Sequence, residues 1–201
     1  MSDGVRPARR ADAPAIADAL ASAFFADPVM VWAMPRARRR LIELRRLYAA
    51  TARYEPIDAT LLAEDAAGQV VGVAVWWHRR GRRARPAWAE VPFALAAGRA
   101  LGTDMGRMVA LGRAASRARP RVPHWYLQLL GVAAHTQRSG FGGALMRRQL
   151  VRCDADGMPA HLETTDENLE FYGQFGFRVT GEITIDRRAP MQYSLWREPV
   201  L

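Results

Sequence analysis

The segment Gln137-Arg138-Ser139-Gly140-Phe141-Gly142-Gly143 constrains this chain more than any other. The apolar stretch before it, His124 to Val132, has the pattern of a strand, and Ala144 to Val151 after it opens a helix. A strand, a glycine-rich turn and a helix N-terminus make an anion cradle. The first N–H groups of the helix lack partners of their own, and the helix dipole favours negative charge there. Glycine lets phosphate oxygens approach the backbone, where a Cβ would stand in the way. The groups expected to hold a pyrophosphate are the amides of Arg138, Ser139, Gly140, Phe141, Gly142 and Gly143, with side-chain help from Gln137 and Arg138.

The flanking pattern alternates strands and helices, which predicts an α/β fold with a mixed sheet. Val5 to Arg10 reads as a strand, and Asp12 as a cap for a helix over Pro14 to Phe25. Pro28 and Pro35 bound a short segment carrying Met30, Val31 and Trp32. Arg36 to Arg53 has helical spacing, with Leu41, Leu44, Leu47 and Tyr48 on one face and arginines opposite. Thr60–Glu64 and Gln69–Trp77 read as a hairpin around Asp65-Ala66-Ala67-Gly68. Glu90–Leu101 and Asp104–Ala118 read as helices divided at Gly102. Beyond the cradle come a strand at Ala160–Thr164, a helix at Asp166–Phe175, and strands at Phe177–Ile185 and Met191–Trp196.

With 201 residues, half of them hydrophobic, the chain suits one domain over residues 1–201 with a substantial core. No apolar run approaches a membrane span and no charged-then-apolar leader is visible, so a cytoplasmic protein without membrane contact is expected. The single cysteine, Cys153, excludes an internal disulfide and a cysteine-rich metal site. His78, His124, His135 and His161 lack metal-ligand spacing, so no metal is expected. The net charge of +9 comes from 29 arginines with no lysine, spread along the chain. The runs Arg36-x-Arg38-Arg39-Arg40 and Arg79-Arg80-x-Arg82-Arg83-x-Arg85 therefore read as solvated surface rather than a nucleic-acid contact.

Around the cradle the order is Leu129-Leu130-Gly131-Val132, four residues, then Gln-x-x-Gly-x-Gly. About thirty residues on comes Asn168-x-x-Phe171-Tyr172-x-x-x-Gly176-Phe177. In these motifs, over residues 124 to 179, the chain resembles the GNAT N-acetyltransferase superfamily. The resemblance implies a central sheet of about seven strands, helices on both faces, and splayed fourth and fifth strands that admit acetyl-CoA as co-substrate. The wider layout is similar to bacterial members that acetylate small molecules and antibiotics, such as puromycin N-acetyltransferases. It implies transfer of an acetyl group to a primary amine of a small molecule, by direct attack. Acetylation of a protein N-terminus or lysine, and a module that senses acetyl-CoA without turnover, are the other readings. A monomer and a homodimer both fit.

Such a transfer needs an amine nucleophile, stabilisation of the carbonyl oxygen, a proton for the leaving thiolate and a grip on the phosphates. By resemblance, the strand through Leu130, Gly131 and Val132 pairs with the pantetheine arm, and an amide near Leu130 or Gly131 faces the acetyl oxygen. Gly131 alternatively marks a bulge, a close backbone approach or a tolerated glycine in a core strand. Tyr172 matches the family's general acid; its bland counterpart is a packed tyrosine with a bonded hydroxyl. Asn168 orients the pantetheine or caps the helix. Glu163 on the short fifth strand is a candidate base, or else a buried carboxylate paired with an arginine. Tyr126 and Gln128 lie two apart on one strand, hence on one face, at the acceptor side. Asp27 and one of Trp76 and Trp77 join them as acceptor-pocket candidates. Cys153 reads as a small helix residue rather than a nucleophile.

Overall fold

The structure is a computed structural model that describes residues 4–54, 57, 60–79 and 87–200, the side chains of residues 79 and 87–90 excepted. Among them are seven strands: β1 (Val5–Pro7), β2 (Thr60–Glu64), β3 (Val70–Arg79), β4 (His124–Val132), β5 (Ala160–Thr164), β6 (Arg178–Ile183) and β7 (Gln192–Arg197). Seven α-helices accompany them: α1 (Ala13–Phe24), α2 (Pro28–Ala33), α3 (Ala37–Tyr54), α4 (Ala87–Leu101), α5 (Met105–Ala118), α6 (Phe141–Ala155) and α7 (Leu169–Gly173). The strands form one sheet in the order β1-β2-β3-β4-β5-β7-β6. Every pairing is antiparallel except β4–β5, which is parallel.

Strand alternation sends side chains to two cores. On one face Val73, Val75 and Leu129 pack with Ile16, Leu20, Leu44, Leu47 and Tyr48 of α1 and α3. On the other, Ala74, Trp76, Trp125 and Leu127 pack with Leu145, Met146 and Leu150 of α6. The hairpin between β2 and β3 follows its sequence signature. Asp65 accepts the Ala67 and Gln69 amides on its carboxylate, and Gly68 takes φ +75°.

Several boundaries depart from the sequence reading. The first strand stops at Pro7, and Asp12 does not cap α1; its carboxylate is held by the Arg6 guanidinium and the Arg9 amide. The segment between Pro28 and Pro35 is a helix, α2, with Pro28 at its first position. The helix expected over Asp166–Phe175 divides into a 3₁₀ turn, Asp166–Asn168, and the short α7. On α3, Leu41 is 45 % exposed while Arg40 is 6 % exposed, so the inward face begins with an arginine. The other arginines of its run, Arg36, Arg38 and Arg39, are exposed as expected. Of the second run, residues 80–85 lie outside the described residues. No described helix is long and apolar enough to cross a membrane.

Candidate active site

Pairing between β4 and β5 covers only Trp125 to Leu127 against Ala160 to Leu162. β4 runs on to Val132, so from Gln128 onward its β5-side edge is open, while β5 turns its own outer edge to β7 through Thr164. The register against β3 slips at this point: Val75 faces Leu129 but Trp76 faces Leu127, which makes Gln128 the bulged residue. A bulge re-aims the strand where the two partners part. Gly131 is not the bulge. A Cβ there would lie 2.9 Å from Ala23 Cβ, 3.0 Å from Leu20 Cδ2 and 3.1 Å from Phe24 Cε2, so glycine is needed for α1 to cross β4 closely. Leu130 packs on the α6 side.

The end of β4 leads into the cradle. Arg138 (φ +64°) and Gly140 (φ +84°) both adopt left-handed conformations, which turn the chain sharply before α6. Arg138, Ser139 and Gly140 are exposed. No side chain caps α6, whose first bonded amide is Ala144, to the Gly140 carbonyl at 3.0 Å. The amides of Phe141, Gly142 and Gly143 at this helix start therefore have no helical carbonyl to bond. A Cβ on Gly140 would meet nothing within 4 Å, while one on Gly143 would come 3.2 Å from the Arg147 guanidinium, which folds back over the turn. The Gln137 side chain donates to the Val132 carbonyl at 3.4 Å, which ties the turn to β4. Uncapped amides, open backbone and a neighbouring guanidinium are chemistry that fits a pyrophosphate.

Gly142 also lies against α7: its Cβ would be 3.5 Å from the Phe171 ring and 3.6 Å from Val132 Cγ2. The cradle, the open edge of β4 and α7 thus converge. Tyr172 follows Phe171, with the two ring centroids 5.1 Å apart, and is 8 % exposed. Its hydroxyl makes no hydrogen bond with a described residue, so it is not a tyrosine anchored by its hydroxyl. Burial and the Asp27 carboxylate raise its pKa. Asn168 precedes α7 without capping it; its amide donates to Thr165 Oγ1 at 3.4 Å.

Glu163 and Tyr126 meet across β4 and β5. The Tyr126 hydroxyl donates to Glu163 Oε2 at 2.6 Å, and Arg119 Nε lies 3.7 Å from Glu163 Oε1. The Arg119 guanidinium stacks 4.1 Å over the Tyr126 ring, and Trp77 contacts that ring at 5.6 Å. His161 stacks on Tyr126 and bonds Ser194 Oγ at 2.9 Å. Both oxygens of Glu163 therefore face established partners, as a carboxylate paired with an arginine does. Burial is the main cause raising the Tyr126 phenol, with the Glu163 charge next. Of the two tryptophans, Trp77 is on this face and Trp76 is fully buried against α6.

Asp27 sits away from this cluster, at the N-cap of α2, where Oδ1 accepts the Met30 amide at 2.9 Å. Burial is the first cause raising its pKa, against the lowering effect of the capped amides; the Glu167 charge raises it further. Its charge acts on two buried phenols, Tyr172 and Tyr48. The sequence reading missed Arg40 and the role of Tyr48. The signal was present: Arg40 falls at i−4, i−7 and i−8 from Leu44, Leu47 and Tyr48, an arginine in an apolar register.

The sequence profile of the acetyltransferase (GNAT) domain family matches residues 101–193, which include the open β4 edge, the cradle and Tyr172. A solved structure described as histone acetyltransferase HPA2 and related acetyltransferase, from Corynebacterium glutamicum, is 27 % identical. Its TM-score is 0.73, over 100 % of this chain and 98 % of that one. The chain belongs to the GNAT N-acetyltransferase superfamily. It is an acyltransferase of a family that uses acetyl-CoA. Its fold is shared more distantly with an N-acetyltransferase from Staphylococcus aureus Mu50 (15 % identity, TM-score 0.63, 96 % and 98 % covered). It is also shared with arylalkylamine N-acetyltransferase 2 from Aedes aegypti (11 % identity, TM-score 0.59, 96 % and 97 % covered).

Proposed function

We propose that this GNAT acetyltransferase moves the acetyl group of acetyl-CoA directly onto the primary amine of a small molecule, with no acyl-enzyme. The observation that carries the reading is the uncapped α6 N-terminus beside the open edge of β4, with the unbonded Tyr172 hydroxyl on the adjoining helix. Amides 138–143 and Arg147 would grip the pyrophosphate. The β4 edge through Leu130, Gly131 and Val132 would bond the pantetheine arm, with Asn168 beside it. Acetyl-CoA supplies the activated thioester; the protein orients it and manages protons. Direct attack is supported by the lone cysteine: Cys153 is fully buried in the α6 core, and burial pushes its thiol up to about 12.

Tyr172 gives its proton to the departing sulfur. In water a phenol near 10 is a weaker acid than a thiol near 8.5, so this transfer runs uphill. The deficit narrows in a dry site, because burial raises a thiol as it raises a phenol; Cys153 displays that effect in this protein. Burial supports a small acceptor: the acceptor-side candidates Tyr126 and Glu163 are only 5 % and 7 % exposed.

The test is a panel of phenethylamine, cadaverine, spermidine, an Ala-initiated peptide and a lysine peptide, assayed with acetyl-CoA for thiol release. The expected result is turnover of at least one small amine with intersecting initial-rate lines. Turnover of the peptides alone would replace the acceptor class. Tight acetyl-CoA binding with no turnover of any acceptor would replace the enzyme by a sensor.

A further inference from the structure

A groove of about 1040 Å³ runs between the N-terminal half of α1 and α3, with Ala96 of α4 also lining it. Its origin is in the sequence of α3. That helix buries Leu44, Leu47, Tyr48 and Thr51 on one face. The helical repeat then gathers Ile42, Arg45, Arg46, Ala49 and Arg53 on another, and all five are exposed. Pro14 and Ala17 of α1 form the facing wall. Ile42, 55 % exposed, is a large apolar side chain left in water along this face.

The rim of the groove is cationic. Arg10, from the 3₁₀ turn that leads into α1, joins Arg45, Arg46 and Arg53 of α3. The lining holds a single carboxylate, Asp18, and it accepts a hydrogen bond from Arg45 Nε at 2.5 Å. Arg10, Arg46 and Arg53 have no ion pair among the described residues. Arginine keeps its head in water while its stem covers apolar surface, so the result is an apolar trough with a charged edge. A cleft lined by one sign of charge focuses its field on ions of the other sign.

The charge and the size select the occupant. A second copy docked on a two-fold axis would set these arginines against their own equivalents, which repel. The volume is that of a small-molecule site, and the apolar walls suit a body longer than a bare anion. We propose that the groove is a second ligand site, for a small amphiphile with one anionic head and an apolar body, a medium-chain carboxylate being the simplest member. The head takes the arginine rim, and the body lies along Pro14, Ala17, Ile42 and Ala49. The site is separate from the acetyl-transfer cleft. No residue of β4, β5, the cradle or α7 lines it, and α1 meets β4 with its other half, at Leu20, Ala23 and Phe24.

Calorimetry of decanoate with the full chain, coenzyme A present in excess to fill the transfer cleft, tests this. Decanoate should bind at least about tenfold more tightly than decyltrimethylammonium, its chain-matched cation, and than acetate, which has the head alone. Raising sodium chloride from about 50 to about 500 mM should weaken it at least about threefold. The double variant Arg46→Gln, Arg53→Gln should weaken it about tenfold. Ala49→Trp, which fills the groove from an exposed position, should abolish it. Melting temperature and acetyl-CoA affinity should stay at wild-type values in both variants. Equal binding of the two chain-matched ions, or unchanged decanoate affinity in either variant, would overturn the site. A decaglutamate peptide that binds more tightly than decanoate, and is lost in the same double variant, would overturn the small-molecule class in favour of an acidic protein partner.

Discussion

Arg197 and Arg40 are almost equally buried, at 7 % and 6 % exposure, yet direct their charge differently. Arg197 at the end of β7 makes a paired bond to Asp154 of α6, at 2.7 Å and 2.9 Å, and donates a third bond to the Phe175 carbonyl. Asp154 also accepts the Val200 amide, and this network holds its pKa low, with Arg197 the leading cause. That corner is a closed ledger of charges that fastens sheet, helix and C-terminal segment together. Arg40 instead bonds two carbonyls and gives Asp27 no partner, and burial leaves Asp27 with a raised pKa. A carboxylate paired with a buried cation serves the scaffold; one capped only by amides and raised by burial is a candidate for chemistry.

The largest expected effect breaks the scaffold side of this comparison. Arg197→Met leaves Asp154 partly buried without its cation, and should cost about 3 kcal/mol in urea unfolding, at the low end for a broken buried pair. Arg40→Met removes two bonds to neutral carbonyls and should cost only about 1–2 kcal/mol. Equal losses would erase the distinction between the two arginines.

On the functional side, Tyr172→Phe keeps the ring against Phe171 and Phe177 but removes the proton donor. Turnover should fall about a hundredfold, roughly 2.7 kcal/mol, with acetyl-CoA affinity little changed by calorimetry. Because the phenol is raised above its ordinary value, no falling limb below about pH 10 should belong to it. Wild-type turnover in the variant would make Tyr172 a packing residue. Gly142→Asp, where an added Cβ has ordinary contacts, places negative charge at the uncapped amides. It should weaken acetyl-CoA at least tenfold, about 1.4 kcal/mol. Unchanged affinity would move the cradle elsewhere.

The same contrast explains what the sequence disclosed. The cradle and Tyr172 lie within one continuous stretch whose local chemistry is forced: left-handed turns need glycine, and a strand feeding a helix leaves free amides. The parting of β4 from β5 followed from the family resemblance, and the structure locates it at Gln128. The acceptor side is different in kind. Asp27, Arg40, Tyr48 and Glu163 come from the α1–α2 junction, α3 and β5, and their partners are set by tertiary packing rather than by any local motif. Hydrophobic periodicity read Tyr48 as core, and Arg40 as surface because arginine usually is. Glu163 and Tyr126 were legible as neighbours on facing strands, but their partner Arg119 comes from the C-terminal end of α5.

The smallest effect tests the central contrast most directly: thermal melting of Asp27→Asn as a function of pH. Arg6 holds Asp12 down at about 2, so Asp12 adds stability that is lost as pH falls from about 4 towards 2. Asp27 has the opposite sign. Its folded pKa lies above the ordinary 3.8, so the fold prefers it protonated and loses stability as pH rises from 3.8 through that raised value. Asp27→Asn should therefore melt higher than wild type at pH 7, with the gain vanishing as pH falls below the ordinary 3.8. A lower melting temperature at pH 7 would mean that Asp27 serves the fold, and would contradict the claim that its charge is kept for chemistry.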